Sequence, residues 1–229
     1  MDGQTTEFVL PTANATPGGL VPGPDGALWF TEPSANQIGR ITLDGAITEY
    51  PIATPGSFTV RLAPGPDGAV WFSEIRRNNI GRITPGGDIR EFPVPGMAPA
   101  GIAAGTDGGV WFTGFASNEI GRIGADGTVQ RFAVPTPNSV PYHIAAGPDG
   151  ALWFTEQEAN KIGRLEPPPV ASTPPLSSAP SLEPLPTLTG SPEPFAALPN
   201  GLAVDRVGQR RPRVGRGRRR RERVRDRPE

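Results

Sequence analysis

The 229-residue sequence contains no cysteine, a single lysine and a single histidine. Without cysteine the chain has neither a disulfide framework nor a thiolate metal site, so cysteine usage indicates no redox compartment. No apolar run approaches the roughly 20 residues that span a bilayer. The first residues also lack the basic and apolar regions of a signal peptide. We therefore expect a cytoplasmic protein with no membrane partner, or a secreted one if Met1 is not the natural start.

Glycine and proline are abundant, with 30 residues each. At this density they disfavour a helical solenoid, because both residues destabilise helix interiors.

Charge is divided unevenly along the chain. Residues 206–229 hold 12 arginines and three acidic residues, a net charge of +9, whereas residues 1–205 hold 10 basic and 20 acidic residues, a net charge of −10. The two segments differ chemically and require separate interpretations.

Four tryptophans mark an internal repeat, with spacings of 42, 40 and 42 residues: Trp29, Trp71, Trp111 and Trp153. Each follows a Gly-Pro-Asp-Gly or Gly-Thr-Asp-Gly turn and precedes an Ile-Gly-Arg-Ile or Ile-Gly-Arg-Leu block. A further block resembling Thr-Glu-Tyr comes next, and another short apolar run lies before each turn. Apolar runs between Asp-Gly and Asn turns are typical of strands. Four strands in about 42 residues predict a β-propeller blade, hence an all-β fold of four-stranded antiparallel blades in a closed or partial ring.

The ends of the repeat predict how the blades are joined. Residues 2–8 match residues 44–50, which form an outermost strand, whereas the fourth repeat stops at Leu165 without one. We predict that residues 1–166 form the propeller and that residues 4–10 pair with the strand of residues 162–165. This pairing would close the ring and remove an exposed edge. If four blades do not close, we expect an open arc that self-associates to cover its exposed faces.

The C-terminal quarter of the chain has a different composition. Residues 167–199 are rich in proline, serine and leucine, which predicts a disordered linker. Residues 200–229 are interpreted as the truncated start of a further repeat followed by an arginine-rich disordered tail. A repeat of this class would continue with Ser-Gly-Asn-Val, and a one-base shift of GC-rich codons for Val-Gly-Gln-Arg yields that sequence, so a reading-frame shift is our hypothesis. A nucleic-acid-binding arm is the alternative; the absence of interleaved aromatic residues disfavours it.

Comparison among the repeats separates scaffold residues from candidate site residues. Glu32, Glu74 and Glu156 recur after Trp-Phe-(Thr/Ser), which favours structural hydrogen bonding. The recurring arginines suit a carboxylate on a neighbouring strand: Arg40, Arg82, Arg122 and Arg164. Tyr142, His143 and Arg61 instead break the pattern on innermost strands. Strand alternation predicts that only one of the adjacent pair Tyr142 and His143 faces the channel.

The candidate site residues follow from this comparison. His143 and Tyr142 are the candidate catalytic residues, and Arg61 and Glu156 are candidates for substrate binding. The predicted partner is a small-molecule or peptide ligand at the mouth of the channel. No set of metal ligands can be assigned from the residues themselves.

Gly-Pro-Asp-Gly-Ala-Leu-Trp-Phe-Thr-Glu, then Asn-x-Ile-Gly-Arg-Ile and Thr-Glu-Tyr-Pro, resembles the virginiamycin B lyase (streptogramin lyase) family over about residues 2–165. The resemblance implies a seven-bladed propeller and a Mg²⁺-dependent lyase that inactivates an antibiotic. Members of this family open cyclic streptogramin B depsipeptides by elimination at the ester bond, without water.

The resemblance also implies a site at the channel mouth, where the family carries Glu-Pro-His-Gly-Ile. The best match here is the stretch from residue 140 to 144: Val-Pro-Tyr-His-Ile. Tyr142 stands at the family's histidine position, His143 follows one place later, and Val140 stands where the family has its metal-site glutamate. Elimination needs a base and a cation or acid for the leaving group. We therefore expect a piece of a lyase-type propeller with weak or no catalysis, or else a propeller that binds ligand or protein without chemistry.

Overall fold

The structure, a computed structural model, describes residues 3–169, which lie in one compact unit. The predicted linker beyond residue 169 and the arginine-rich tail lie outside the described residues. Residues 3–169 form four antiparallel sheets and no helix, which confirms the predicted all-β propeller fold. A helix long and apolar enough to cross a membrane is accordingly not found in this range.

Each repeat forms one sheet, and the strands lie side by side in chain order. Blade 1 consists of β1 (Leu20–Pro22), β2 (Leu28–Glu32), β3 (Gln37–Ile41) and β4 (Ile47–Pro51). Blade 2 consists of β5 (Thr59–Pro64), β6 (Val70–Glu74), β7 (Asn79–Ile83) and β8 (Ile89–Pro93). Blade 3 consists of β9 (Pro99–Ala104), β10 (Val110–Gly114), β11 (Glu119–Ile123) and β12 (Val129–Ala133). Blade 4 has three strands, β13 (Pro141–Ala146), β14 (Leu152–Glu156) and β15 (Lys161–Leu165).

Neighbouring blades pack face to face through one repeated set of apolar contacts. The tryptophan of the second strand lies on the face toward the next blade, here called the front face. The phenylalanine that follows it lies on the opposite back face, toward the preceding blade. One interface joins the front of blade 1 to the back of blade 2: Trp29, Ile38 and Ile52 against Leu62, Val70, Phe72 and Ile83. Equivalent residues form the other two interfaces, so the core is a series of repeated seams.

An aromatic residue of the outermost strand completes each front face. Trp29–Tyr50 and Trp71–Phe92 are stacked, with centroid distances of 5.6 Å and 5.5 Å, and Trp111–Phe132 is a tilted pair at 5.3 Å. Stacked aromatic pairs at this separation contribute beyond simple area burial. Blade 4 has no outermost strand within the described residues, so Trp153 lacks this aromatic partner there.

The aspartate of each Gly-x-Asp-Gly turn ties the first three strands together. In blade 2, Asp67 accepts hydrogen bonds from the Trp71 indole at 3.0 Å and from the Arg82 guanidinium at 2.6 Å. The same arrangement recurs in the other blades around Asp25, Asp107 and Asp149. The prediction that each repeated arginine pairs with a carboxylate is confirmed, but the carboxylate comes from a turn and not from a neighbouring strand.

The N-terminal segment does not pair as the sequence suggested. Residues 3–10 form no strand, and β15 pairs only with β14 among the described residues. The segment lies against blade 1, where Phe8 packs over Gly45 as Tyr50 packs over Gly87. Thr12 also donates hydrogen bonds to the Glu49 carboxylate through its backbone nitrogen at 3.0 Å and its hydroxyl at 2.6 Å. The predicted pairing is therefore wrong, because blade 1 holds the segment at the opposite end of the arc from β15.

The four blades form an arc that does not close. At one end, on the front face of blade 4, Trp153 is 40% exposed and Ile162 is 63% exposed, whereas their equivalents in the other blades are buried. At the other end, on the back face of blade 1, Leu20 is 59% exposed, and its three equivalents are buried. Of the two sequence-based alternatives, the structure has the open arc with exposed blade faces.

Candidate functional site

A β-bulge reshapes three of the four innermost strands where the candidate residues lie. The pairing of β13 with β14 shifts register between Pro141 and Ile144, so Tyr142 and His143 occupy the bulge. Equivalent shifts occur in β5 and β9. The backbone N–H of His143 donates to the Thr155 hydroxyl at 3.0 Å, which anchors the bulge. Bulges redirect side chains, and for this reason simple strand alternation does not describe the residue pair.

The residue directly before β5, β9 and β13 has a left-handed backbone, and so does Thr16, the equivalent residue of blade 1. The φ angle is 54° at Thr16, 54° at Phe58, 48° at Ala98 and 53° at Val140. Such angles are unfavourable for β-branched residues, which include Thr16 and Val140. Neighbouring hydrogen bonds hold the turn in place, and Ser139 donates its backbone N–H to the Asn118 side-chain oxygen at 2.8 Å. The approach to the channel is thus a strained and well-anchored backbone segment.

Arg61 and His143 meet across blade 3. One Arg61 guanidinium nitrogen lies 3.3 Å from His143 Nε2. Gly101 stands at the equivalent position of the blade between them and has no side chain to obstruct this contact. Because arginine only donates hydrogen bonds, Nε2 is the acceptor and the imidazole proton resides on Nδ1. Burial and the positive charge of Arg61 both lower the pKa of His143 below its ordinary 6.5, so the ring is neutral at pH 7.

Two aromatic rings extend this contact. The Tyr142 ring lies 5.0 Å from the His143 ring in an edge-on arrangement, and the Phe115 ring lies 6.0 Å from Tyr142. Arg61, Phe115, Tyr142 and His143 are hereafter called the mouth cluster. Sequence reasoning missed Phe115. Pro33, Ile75 and Gln157 stand at the equivalent positions, so no residue is repeated there and comparison among the repeats gave no signal for Phe115.

Glu156 lies outside the mouth cluster. It ends β14 opposite Pro141 and is buried, and one of its carboxylate oxygens has no hydrogen-bond partner. Its equivalents Glu32 and Glu74 are also buried. Burial, with smaller contributions from Glu49 and Glu91, raises the pKa of Glu32 and of Glu74 to about 7.

In the blade where the repeated glutamate is replaced, the residue that contacts it is replaced as well. The Ser57 hydroxyl donates to the Glu74 carboxylate at 2.6 Å. In blade 3, Gly114 replaces the glutamate, and the fully buried Met97 stands at the position of Ser57 and contacts Gly114. This exchange between blades favours a structural role for the repeated glutamates.

The mouth cluster contains no carboxylate that could hold a magnesium ion. Within residues 3–169, no three histidine or carboxylate groups converge as a possible cation site. The charged neighbour of His143 is the cation Arg61, which would repel a divalent ion at this cluster.

Two grooves of similar size lie at opposite ends of blade 4. One, with a volume of about 280 Å³, adjoins His143 and is floored by Trp153, Phe154 and Ile162. The other, with a volume of about 340 Å³, is lined by Asp107, Asp149 and Arg164. The polar groups of this second groove already form the repeated aspartate–arginine bridges. Only the first groove therefore extends the mouth cluster.

The Arg61–His143 contact predicts a measurable shift in the titration of the single histidine. Replacing Arg61 with alanine should raise the pKa of His143, because it removes the positive charge that disfavours protonation of the ring. The measurement is an NMR titration of the imidazole, unambiguous in a chain with one histidine. Arg76→Ala is the control, since Arg76 lies over Phe58 and not beside His143. An unchanged pKa in Arg61→Ala would contradict the contact.

Comparison with known proteins places this geometry in context. The model of the virginiamycin B lyase family matches residues 1–193. Selenomethionine-substituted virginiamycin B lyase from Staphylococcus aureus is 48% identical with a TM-score of 0.68, and the match covers 71% of this chain and 56% of that one. A catalytically inactive histidine-to-alanine variant of that lyase, solved with quinupristin, is 41% identical with a TM-score of 0.66, over 73% and 60% of the two chains. A streptogramin B lyase is 38% identical with a TM-score of 0.64, over 71% and 58%.

Proposed function

The chain belongs to the virginiamycin B lyase family, and we propose that it binds a small cyclic peptide at the mouth cluster with weak or no lyase activity of its own. The observation that carries this proposal is the Arg61–His143 contact, which places a cation beside the single histidine. The chain spans 56–60% of the length of these solved relatives. The activity of the whole relatives, including any dependence on Mg²⁺, is therefore extended to this chain only as a proposal.

The mouth cluster offers the groups that a cyclic depsipeptide requires. The Arg61 guanidinium presents several N–H donors to ester and amide carbonyl oxygens. The Tyr142 and Phe115 rings, 6.0 Å apart, offer apolar surface to the ligand's side chains. Binding by this surface needs no further residue.

Catalysis requires more than this cluster supplies. Elimination at the ester removes an α-proton, breaks the carbon–oxygen bond, and leaves a double bond and a carboxylate. A base must accept the proton, and a cation or acid must stabilise the leaving carboxylate. His143 Nε2 already accepts a hydrogen bond from Arg61, so it becomes a base only when Arg61 moves away. Arg61 would then be free to stabilise the carboxylate, so the arrangement is compatible with a slow reaction.

A propeller that binds without any chemistry is the second candidate function. It is favoured by Val140 and Tyr142, which stand where the resemblance places a glutamate and a histidine. The two candidates differ only in turnover, so one experiment separates them.

The test uses the full chain, Mg²⁺ and quinupristin. Calorimetry should detect binding, and chromatography with mass spectrometry should detect little or no linear product, which elimination forms without the added mass of water. Arg61→Ala should weaken binding about tenfold, because a charged hydrogen-bond donor is lost, and Arg76→Ala should leave it unchanged. Turnover that disappears in His143→Ala would show catalysis with His143 as the base. Absence of binding would overturn the proposed function.

A further inference from the structure

Within residues 3–169, blade 4 has no counterpart of the outermost strand that completes each of the other three blades. Its sheet ends at β15, and within the described residues no strand occupies the position of β4, β8 and β12. Among the described residues, Trp153 has no equivalent of the aromatic side chains that pack on Trp29, Trp71 and Trp111. The front face of blade 4 is apolar, and Ile162 is its most exposed large hydrophobic residue.

The N-terminal segment is the converse case: it lies at the position of an outermost strand, but within the described residues the other strands of that blade do not accompany it. Phe8 packs over Gly45 as Tyr50 packs over Gly87 and as Phe92 packs over Gly127. Residues 4–10 therefore lie where the outermost strand of a blade preceding blade 1 would lie. Phe8 and Val9 are 47% and 92% exposed, and within residues 3–169 no other strands of such a blade lie beside them.

We propose that two copies of this chain assemble head to tail, each completing the other. Blade 4 of one copy docks its front face on the back face of blade 1 of the other copy. Residues 4–10 of that second copy then become the fourth strand of the docked blade. Blade 4 of the first copy thus supplies three strands beside residues 4–10 of the second copy, and those residues supply the fourth strand of that blade.

The repeat fixes the register of this junction. Ile38, Ile80 and Ile120 lie opposite Tyr50, Phe92 and Phe132. By the same pairing, Ile162 of one copy lies opposite Phe8 of the other, and Phe8 stacks on Trp153. Lys161 then lies opposite Val9, as Gln37 lies opposite Pro51. The exposed Leu20 is covered as its equivalent Leu62 is covered by the front face of blade 1.

A second copy fits better than an unrelated partner because the junction repeats an interface that the chain already forms three times. Its two complementary surfaces are the two ends of one arc. Two copies joined at both ends are related by a twofold axis and leave no blade face uncovered. The resulting ring has eight blades, one more than the seven that the family resemblance implies and within the range of four to eight that propellers typically adopt. A single copy cannot form this junction, because blade 1 holds its own segment at the wrong end of the arc.

The first experiment measures mass and its concentration dependence for the full chain by sedimentation velocity. We expect a dimer whose dissociation constant rises about tenfold in Phe8→Ala and more in Ile162→Lys, because both changes strike the centre of the seam. Phe58→Ala is the matched control, since it removes an exposed phenyl ring from the rim of blade 2, away from both ends of the arc. A monomer at all concentrations, or a species that grows beyond two copies, would overturn the proposal.

The second experiment exploits the absence of cysteine from the chain. Val9→Cys and Lys161→Cys are prepared separately, mixed and oxidised, so any disulfide between the two sites joins two different chains. We expect a covalent dimer in the mixture and much less in either variant alone. Failure to cross-link, with both variants folded by circular dichroism, would show that another occupant covers blade 4. A monomer closed by an internal disulfide in the dilute double variant would also overturn the proposal, because it would place the segment on its own β15.

Discussion

Replacing Gly121 with alanine is expected to destabilise the protein by about 3 kcal/mol, the upper part of the range for overpacking a close-packed core. Gly121 lies in β11, and the Phe112 ring of the neighbouring strand covers its Cα directly. An added methyl group would lie 2.1 Å from that ring. Phe112 is fully buried against the front face of blade 2, so the ring cannot move aside without disturbing that seam. Urea denaturation of purified protein, followed by tryptophan fluorescence, measures the change.

Gly86→Ala is the matched control for this prediction. Gly86 lies in the turn between β7 and β8 and has negative φ, and an added methyl group would meet only the Thr84 hydroxyl at 3.7 Å. Its substitution should leave the free energy of unfolding nearly unchanged or slightly higher, because alanine restricts the unfolded chain. Equal losses in both variants would show that the glycine of the Ile-Gly-Arg-Ile block does not act through the phenylalanine contact.

The repeat made the fold predictable from the sequence. Short apolar runs, Asp-Gly turns and the tryptophan spacing indicate strand, hairpin and blade without reference to any distant contact. The aspartate–arginine bridge follows from the same repetition, because both partners recur at a constant separation. Each of these features is local to one blade, and the structure confirms them.

Ring closure was not predictable in the same way. The match of residues 2–8 to residues 44–50 correctly identifies an outermost-strand segment, but it does not say which blade receives it. Phe8 packs over Gly45 of blade 1, and this contact depends on the position of a neighbouring sheet. Whether four blades close into a ring is likewise a property of their accumulated rotation, which no single repeat encodes.

The site was predictable in part. Comparison among the repeats identified Arg61, Tyr142 and His143, and the structure brings these three together. It did not indicate that Arg61 reaches His143 over Gly101, because that contact joins residues 82 positions apart in the sequence. The bulge at Tyr142 and His143 was missed as well, since its sequence signal is only a strand one residue longer than alternation requires.

Replacing Asp107 with alanine is expected to cost about 3 kcal/mol, because it leaves the Arg122 guanidinium without its partner in a partly buried position. The Asp107 side chain is 5% exposed and Arg122 is 19% exposed. The substitution also removes the acceptor of the Trp111 indole hydrogen bond, 2.9 Å long, at the centre of a seam between blades 3 and 4. The free energy of unfolding at pH 7, measured by urea denaturation, tests this expectation.

The same bridge at the open end of the arc provides the control. Asp149 makes equivalent bonds to Trp153 and Arg164, but both members of that ion pair are 38% exposed. Water therefore replaces the lost partner, and Asp149→Ala should reduce the free energy of unfolding far less.

The loss at Asp107 should also depend on pH. Burial tends to raise the pKa of this carboxyl, but hydrogen bonds from Trp111 and Arg122 outweigh burial and hold the pKa below its ordinary 3.8. The ionised bridge therefore contributes fully above pH 3.8 and less as the pH falls toward the folded-state pKa. A difference between wild type and Asp107→Ala that stays constant below pH 3.8 would show that the aspartate acts through packing and not through its charge.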